Sequence, residues 1–444
     1  MPRGMRTLLA VVSAVAAAAW LLSAARTESP PLAGARVLAA DGAVKWFKGN
    51  IHTHTLWSDG NDYPEMVSLW YKERGYDFLS FSDHNTLLNR ERWIDALKNK
   101  GGRVALEKLK ARFPDGWVEE RTNDKGEPEV RLKTFEEIAS KIGDPARFLL
   151  IQGEEISDHF RRIPVHMNAT NLGEVIPPMG GESVFEVMQR NTDALVAQRE
   201  RTGRPMLIHL NHPNFHYGIT AEELSLVRGE NFFEVYNGHP DVHNEGDSEH
   251  ASAERIWDII LTRRITMFHM PLMFGLATDD GHNYHGIPSR ASEPGRGWIV
   301  VLARELTAGA IIAAMDQGSF YASSGVKLER IASTPGGIEV EVVQQEGVDY
   351  VIDFIGTRRG FDPESEPVFD VNSMPVRTTR RYSNDIGRVL ETVTGPRACY
   401  AFDDDDLYVR ARVTSTKKHP NPSSPGEYER AWCQPVLGPA ARDR

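Results

Sequence analysis

Five apolar runs in this chain each end in histidine, aspartate or glutamate, and this regularity constrains the fold more than any other feature. The polar ends are the segments 52–54, 82–84, 153–155, 211–212 and 279–282. Amphipathic stretches that predict helices alternate with the runs, which indicates an α/β fold with a parallel sheet in a barrel-like arrangement. Because the carboxyl ends of parallel strands share one rim, we expect the polar groups to converge there.

The strand and helix signals extend over most of the first 320 residues. Strands are predicted over 77–81, 148–152, 205–210, 232–236 and 274–277, and helices over 63–75, 182–202, 249–263 and 306–317. A highly charged segment at 89–147 interrupts this alternation and is expected to be a partly helical insertion over one face. After about residue 327, polar and apolar residues alternate with period two, which predicts a small all-β domain.

The N-terminus has the pattern of a secretory signal. Arg3 and Arg6 precede an apolar run over 8–22, and small residues follow at 23–25. Such a run is too short to span a bilayer comfortably, so a cleaved signal peptide at 1–25 is favoured over an uncleaved anchor. We therefore expect export, most simply to a bacterial periplasm, with no membrane span left after the signal is removed. The complete division is then a signal peptide at 1–25, a linker at 26–43, a barrel at 44–325 with its insertion at 89–147, and a β domain at 326–444.

Charge and cysteine content exclude several classes of protein. The chain has 51 basic and 62 acidic residues and a formal net charge of −11, so it has no overall attraction for nucleic acid or anionic lipid. Its two cysteines, Cys399 and Cys433, rule out a thiolate zinc site and a disulfide scaffold. After export the two thiols would meet oxidising conditions, and both a single bridge and two separate thiols remain open.

Two short motifs predict metal binding. In an extended strand His52 and His54 point to the same side, so both imidazoles can bind one cation. Asp280 and His282 repeat this spacing with a carboxylate and an imidazole. The candidate ligands are all nitrogen and oxygen, which favours Zn, Mn or Fe over copper, iron–sulfur, calcium or magnesium sites. Because they outnumber the needs of one ion, we expect two or three divalent metal ions, with a carboxylate that bridges a pair.

The order of these motifs resembles the polymerase and histidinol phosphatase (PHP) superfamily. The resemblance covers about residues 44–325 and rests on H-T-H-T, S-D-G, S-D-H-N, G-E-E-I-S, His166, N-H-P and D-D-G-H. It implies a distorted (β/α)7 TIM-like barrel whose two- or three-metal site hydrolyses phosphate esters. The sequence after the barrel resembles exported members of the superfamily that carry a C-terminal β domain, and some members of that branch resemble carbamate- and carboxylester-cleaving enzymes.

The resemblance also implies a role for each ligand. The first ion would be held by His52, His54 and Asp280, the second by His166 and His212, and the third by Asp59, His84 and His282, with Glu155 as the bridging carboxylate. Glu154 and Asp279 stand beside two of these carboxylates, and the sequence leaves open which of each pair binds. His209 points the same way as His212 on an extended strand and is the reserve ligand.

The leading hypothesis for function is hydrolysis of a small-molecule phosphate ester by a water that bound metal ions have activated. His209 is a candidate proton source, and Arg161, Arg162 and Arg290 are candidate phosphate-binding residues, with a solvated surface charge as the alternative for each arginine. A carboxylester or carbamate hydrolase would use the same ligands, and its pocket would be apolar. A non-catalytic periplasmic binding module is the third alternative.

Overall fold

The computed structural model describes residues 36–40, 42–229 and 231–442. The predicted signal peptide at 1–25 lies outside the described residues, as does most of the predicted linker. Within the described ranges, no helix combines the length and the apolar character that crossing a bilayer requires.

Twenty-four strands and eight α-helices make up the described chain. The strands of its first part are β1 (Arg36–Leu38), β2 (Lys45–Asn50), β3 (Phe78–Ser80), β4 (Arg92–Asp95), β5 (Glu120–Thr122), β6 (Pro128–Leu132), β7 (Leu149–Ile151), β8 (Gly153–Phe160), β9 (Ile163–Thr170), β10 (Leu207–Leu210), β11 (Phe232–Asn237), β12 (Phe274–Thr278), β13 (Trp298–Ala303) and β14 (Phe320–Ser323). Those of its last part are β15 (Leu328–Thr334), β16 (Gly337–Val342), β17 (Tyr350–Arg358), β18 (Ser365–Glu366), β19 (Arg381–Tyr382), β20 (Arg388–Thr394), β21 (Arg397–Ala401), β22 (Asp406–Lys418), β23 (Tyr428–Cys433) and β24 (Val436–Leu437). The helices are α1 (Pro64–Glu73), α2 (Gly102–Arg112), α3 (Phe135–Ile142), α4 (Val184–Thr202), α5 (Ala221–Leu224), α6 (Ala253–Arg263), α7 (Ala308–Asp316) and α8 (Pro439–Arg442), and a π-helical turn, Arg264–Phe268, follows α6.

Two sheets carry the strands that the sequence predicts as a barrel. A five-stranded sheet has the order β12-β11-β10-β9-β8, and β2, β3 and β7 lie side by side in a ten-stranded sheet. Pairing is parallel between β2 and β3, β3 and β7, β10 and β11, and β11 and β12. The chain passes from the larger sheet to the smaller one at Gln152, between β7 and β8.

The α/β class is therefore confirmed, but hydrogen bonding among the described residues does not close a barrel. In a (β/α)n barrel every strand runs parallel to its neighbours, and two strands here do not. β9 is antiparallel to both β8 and β10, and β13 is antiparallel to β2. A hairpin between β8 and β9 stands where a helical crossover would keep the strands parallel.

The helix ends follow from local sequence. Pro64 opens α1, where its missing N–H costs no hydrogen bond. Ser183 caps α4 by accepting a hydrogen bond from the backbone N–H of Glu186. The same helix ends at Gly203, whose φ of +67° is the left-handed conformation that glycine adopts without strain.

The insertion at 89–147 contains helices α2 and α3, as expected, and also a small sheet that the sequence analysis missed. This sheet has three antiparallel strands in the order β4-β6-β5. All three residues of β5 are exposed and polar, so it lacks the alternation of apolar and polar residues that reveals a strand.

Strands dominate the chain after residue 326, but they are not a separate layer. β14 pairs with β23, so the larger sheet continues across the predicted limit between the barrel and the β domain. In addition, Arg410 of β22 donates two hydrogen bonds to the carboxylate of Asp258 in α6, and both side chains are buried. The predicted domain limits stay predictions. Cys399 and Cys433 are both described and are not joined by a disulfide.

Candidate metal centre

The carboxyl ends of the parallel strands bring the predicted ligands together at one edge. His52 and His54 follow β2, and His84 follows β3. Backbone hydrogen bonds lock these ends to one another, from the His54 N–H to the carbonyl of Gly281 and from the Glu155 N–H to the carbonyl of Asp83. Five groups of side chains could each hold an ion, and they are His54-Asp59-His84-His282, His52-His54-Glu155, His52-His209-Glu234, His52-His212-Asp280 and Glu155-His166-His212.

Glu155, in β8, directs its two carboxylate oxygens into different groups of imidazoles. Oε2 lies 3.3 Å from His54 Nε2 and 2.9 Å from His84 Nδ1. Oε1 lies 3.0 Å from His166 Nδ1 and 3.6 Å from His212 Nε2. This placement is what a carboxylate that bridges two cations requires.

Asp280 shares the buried end of the centre with Glu155. Its Oδ1 lies 3.2 Å from Nε2 of both His52 and His54, and its Oδ2 lies 3.9 Å from His212 Nε2. The backbone of Asp280 has a φ of +50°, which is uncommon for a residue other than glycine. Strain of this kind is concentrated at functional sites.

The other end of the centre is open to solvent. Asp59 is 37% exposed, and its Oδ1 lies 3.3 Å from His84 Nε2 and 3.2 Å from His282 Nε2. Asp83 fixes the loop that carries Asp59, because its carboxylate accepts hydrogen bonds from the Thr55 N–H and from the hydroxyls of Thr55 and Ser58. The centre therefore has a closed end and an accessible end.

Hydrogen bonds made by the Nδ1 atoms set the tautomers of two histidines. His52 Nδ1 lies 2.6 Å from Glu234 Oε1, and His282 Nδ1 lies 2.8 Å from the carbonyl oxygen of Asp280. Because both partners are acceptors, each Nδ1 carries the proton and each Nε2 is directed to the centre. Partners of this kind orient metal-binding imidazoles and raise their basicity.

Neighbouring imidazoles keep the buried carboxylates ionised. Burial by itself raises the pKa of Glu155, but the imidazoles of His84 and His166 outweigh it and hold that pKa well below its ordinary value. The pKa values of Asp280 and Glu234 are lowered in the same way. The centre thus keeps several negative charges in a volume from which water is excluded.

The histidines differ in charge according to their neighbours. Burial, together with the neighbouring His282 and His84 imidazoles, lowers the pKa of His54 to about 3, so His54 is neutral, as a metal ligand must be. Burial also lowers the pKa of His52, but Asp280 and other carboxylates reverse this effect and raise it well above the usual value. A cation at His52 is stabilised by the surrounding charges.

The residues present fit divalent metal ions. Several buried atoms at the centre accept or donate no hydrogen bond, namely His52 Nε2, both ring nitrogens of His54, Asp59 Oδ1 and Glu155 Oε2. Buried polar atoms without partners cost free energy, and these are all nitrogen or oxygen atoms that can bind a metal ion and that face one another. A neutral imidazole has one unprotonated nitrogen, so His54 could bind an ion in only one of the two groups that contain it.

All nine predicted metal ligands lie within these groups, and the two open choices become clear. Glu154 turns away from Glu155, and its Oε1 accepts a hydrogen bond from the Ile176 N–H. Asp279 accepts hydrogen bonds from the Tyr71 hydroxyl and from backbone N–H groups, and it joins none of the groups.

The three predicted catalytic residues are placed differently. His209 is completely buried, with its Nε2 3.4 Å from Glu234 Oε1. It joins the group of His52 and Glu234 and not that of His166 and His212, so its position supports neither a reserve for His212 nor a proton source at a substrate. Arg161 is exposed in the turn between β8 and β9, where it stacks on the Phe160 ring. Arg290 is exposed in the segment after His282. Neither arginine contacts a predicted ligand, so no contact supports their predicted role in phosphate binding.

Sequence reasoning missed Glu234, which lies fully buried in the middle of β11. Its Oε1 accepts from His52 and from the Thr278 hydroxyl, and its Oε2 accepts from the His212 N–H and the Asn237 amide. The signal was a single carboxylate in a buried strand, flanked by the apolar residues Phe233 and Val235. Such a carboxylate is rarely buried without partners.

Comparison with known proteins gives distant structural neighbours only. No family model matches the chain, and no curated protein matches it. A two-domain protein from Bacteroides vulgatus that contains a predicted PHP-like metal-dependent phosphoesterase is 15% identical, with a TM-score of 0.38, over 88% of this chain and 96% of that one. A candidate metal-dependent phosphoesterase from Bifidobacterium adolescentis is 14% identical, with a TM-score of 0.29, over 55% of this chain and 91% of that one. PsfC from Pseudomonas syringae is also 14% identical, with a TM-score of 0.29, over 58% of this chain and 82% of that one.

Proposed function

We propose that this chain is a metal-dependent phosphoesterase of the PHP type with a di- or trinuclear site. The observation that carries the proposal is the placement of Glu155, whose two oxygens face separate groups of imidazoles. Bound Zn, Mn or Fe would lower the pKa of a water and polarise the ester oxygen.

The chain's own residues would hold and orient the reacting groups. His52, His54 and Asp280 would hold one ion at the buried end, and Glu155 would share its second oxygen with His166 and His212. The Asn211 amide donates a 2.8 Å hydrogen bond to Glu155 Oε1 and would keep that oxygen directed at the second group. At the open end Asp59, His84 and His282 would hold a third ion beside the substrate.

Hydrolysis of a carboxylester or carbamate is the second candidate, and one observation favours it. The ring of Phe215 lies 5.0 Å from that of His212 and 6.3 Å from that of His166, measured between centroids, so an aromatic wall borders the second group. An apolar wall suits a neutral substrate better than a phosphate.

A panel of substrates distinguishes the two reactions. The chain from Arg26 onward, loaded with Mn or Zn, would be assayed on aryl phosphate mono- and diesters, an aryl acetate and an aryl carbamate, with and without chelator. We expect chelator-sensitive hydrolysis of the phosphates, loss of metal and activity in His54→Ala, and neither loss in His159→Ala, which replaces an exposed histidine. Hydrolysis of the acetate or carbamate alone would select the carbonyl reaction, and no hydrolysis despite full metal loading would favour a binding module.

Export and the absence of a nucleic-acid partner are also proposals. They are supported by the signal-like segment at 1–25 and by the acidic composition. N-terminal sequencing of the protein recovered from the periplasm of an expressing bacterium tests export, and the expected first residue lies near Arg26.

A further inference from the structure

Lys100, in the insertion, reaches the open end of the metal centre. Its ammonium Nζ lies 3.3 Å from Oδ2 of Asp59, whose other oxygen faces His84 and His282. The carboxylate of Asp59 therefore lies between the positively charged ammonium of Lys100 and the solvent-accessible imidazoles of His84 and His282.

The loop that carries Lys100 is held firmly against the loop that carries Asp59. A Cβ atom on Gly101 would lie 2.3 Å from the carbonyl oxygen of Asn61, so only glycine permits this close approach. The side-chain oxygen of Asn99 accepts hydrogen bonds of 2.8 Å from the N–H groups of both Gly101 and Gly102. The position of Lys100 is thus set by the backbone on both sides of the contact.

The ammonium of Lys100 has donors to spare. An ammonium carries three N–H donors, and Asp59 is the acceptor that Lys100 meets among the described residues. Its side chain is 59% exposed, so its remaining donors face solvent. Other lysines of the insertion differ, since Lys98 pairs with Glu127 and Lys110 pairs with Glu120, carboxylates that belong to none of the ligand groups.

The geometry points to Lys100 as a substrate-binding residue that donates a hydrogen bond to a non-bridging oxygen of a phosphoryl group held at the open end. The inference rests on the proposed function, and it assigns to Lys100 the role that the sequence suggested for Arg161 and Arg290. The inference also gives the insertion a function in substrate selection. The aromatic wall at Phe215 would accept both an anionic and a neutral ester, whereas the positive charge of Lys100 favours the anionic one.

Binding of inorganic phosphate to the metal-loaded protein tests this role without any turnover. By calorimetry, Lys100→Met is expected to weaken phosphate binding by about tenfold or more, as loss of a charged hydrogen bond does, while Lys100→Arg retains most of it. Lys98→Met, which removes an equally exposed charge two residues away, is expected to have no effect. Metal content measured by mass spectrometry should be equal in all four proteins.

Kinetics supply a second measurement. In Lys100→Met the KM for an aryl phosphate should rise by a similar factor, with kcat changed less and with the KM for an aryl acetate unchanged. Unchanged phosphate affinity would overturn the role of Lys100, and so would a loss of affinity that appears only together with a loss of metal. If the wild-type protein hydrolyses no phosphate ester, the proposed function fails, and phosphate binding still decides the role of Lys100.

Discussion

Two glutamates of similar burial, Glu155 at the candidate metal centre and Glu65 in α1, have pKa values that are shifted in opposite directions. Glu155 is 1% exposed and Glu65 is 2% exposed, and burial raises the pKa of each. Around Glu155 several imidazoles reverse that effect, whereas Glu65 has the Trp117 indole N–H as a donor and its pKa rises to about 7. The neighbours of a buried carboxylate therefore decide its charge, and at the centre they preserve the negative charges that cations need.

The largest expected effect is that of Glu155→Gln. The substitution keeps the size of the side chain but removes the charge that faces two ligand groups. We expect loss of bound metal at both groups and a fall in activity beyond the roughly 10–100-fold that removal of an outer hydrogen-bonding partner costs. Metal content by mass spectrometry and kcat/KM on the preferred ester measure the two effects.

Glu154→Gln is the matched control. Glu154 precedes Glu155 in β8, but its carboxylate accepts from the Ile176 N–H and a glutamine oxygen can do the same. Metal content and activity should remain near those of the wild type. If Glu155→Gln kept both properties as well, the bridging role would be wrong.

Most of the predicted ligands could be placed together because strand geometry converts sequence spacing into position, whereas Asp59 and His166 were named only through the family resemblance. Side chains alternate along a strand and parallel strands end at one edge, so segments such as 52–54 and 279–282 had to meet. Glu234 was not predictable in this way, since it lies inside β11, between Phe233 and Val235, and not at the end of a strand. The antiparallel direction of β9 was not predictable either, because the direction of a strand leaves no mark in its own composition.

The role of Lys100 depends on a contact between distant loops, which periodicity does not reveal. The insertion has no readable pattern apart from its charge, and its lysines resemble one another in the sequence. The close approach of Gly101 to Asn61 and the contact with Asp59 distinguish Lys100 from Lys98, which pairs with Glu127. Packing between these two loops thus places Lys100 at the accessible end of the centre, which the sequence alone did not reveal.

The next largest effect concerns stability and pH. In the folded chain the pKa of Glu65 is about 7, against an ordinary value of 4.5, so the folded state binds the proton more tightly than the unfolded state does. The stability that this proton supplies is complete below pH 4.5 and is lost as pH rises toward and through 7, by about 3 kcal/mol in all. Glu65→Gln should remove this loss and make the protein more stable than the wild type at pH 8, but not at pH 4.5.

Urea unfolding of both proteins at several pH values measures the difference, and other titrating groups cancel in the comparison. Glu73→Gln serves as control, because Glu73 lies in the same helix but is exposed and pairs with Arg112. The free energy of unfolding of Glu73→Gln should differ from that of the wild type by less than about 1 kcal/mol. Parallel pH profiles for Glu65→Gln and the wild type would show that Glu65 is ionised in the folded protein, contrary to the comparison with Glu155.

The smallest of the three effects is expected for Glu234→Gln. This substitution tests whether the negative charge of Glu234, beside the predicted ligands, supports metal binding as the charge of Glu155 does. All four partners of Glu234 are donors, so one carboxylate oxygen cannot become an amide NH2 without opposing two of them. We expect metal affinity and kcat/KM to fall by about 10–100-fold through misorientation of His52. Thr278→Val removes one of the four donors and leaves the charge, so its effect should be several-fold smaller. Equal effects of the two substitutions, measured by chelator competition, would mean that Glu234 acts as a hydrogen-bond acceptor alone and that its charge does not support the buried end.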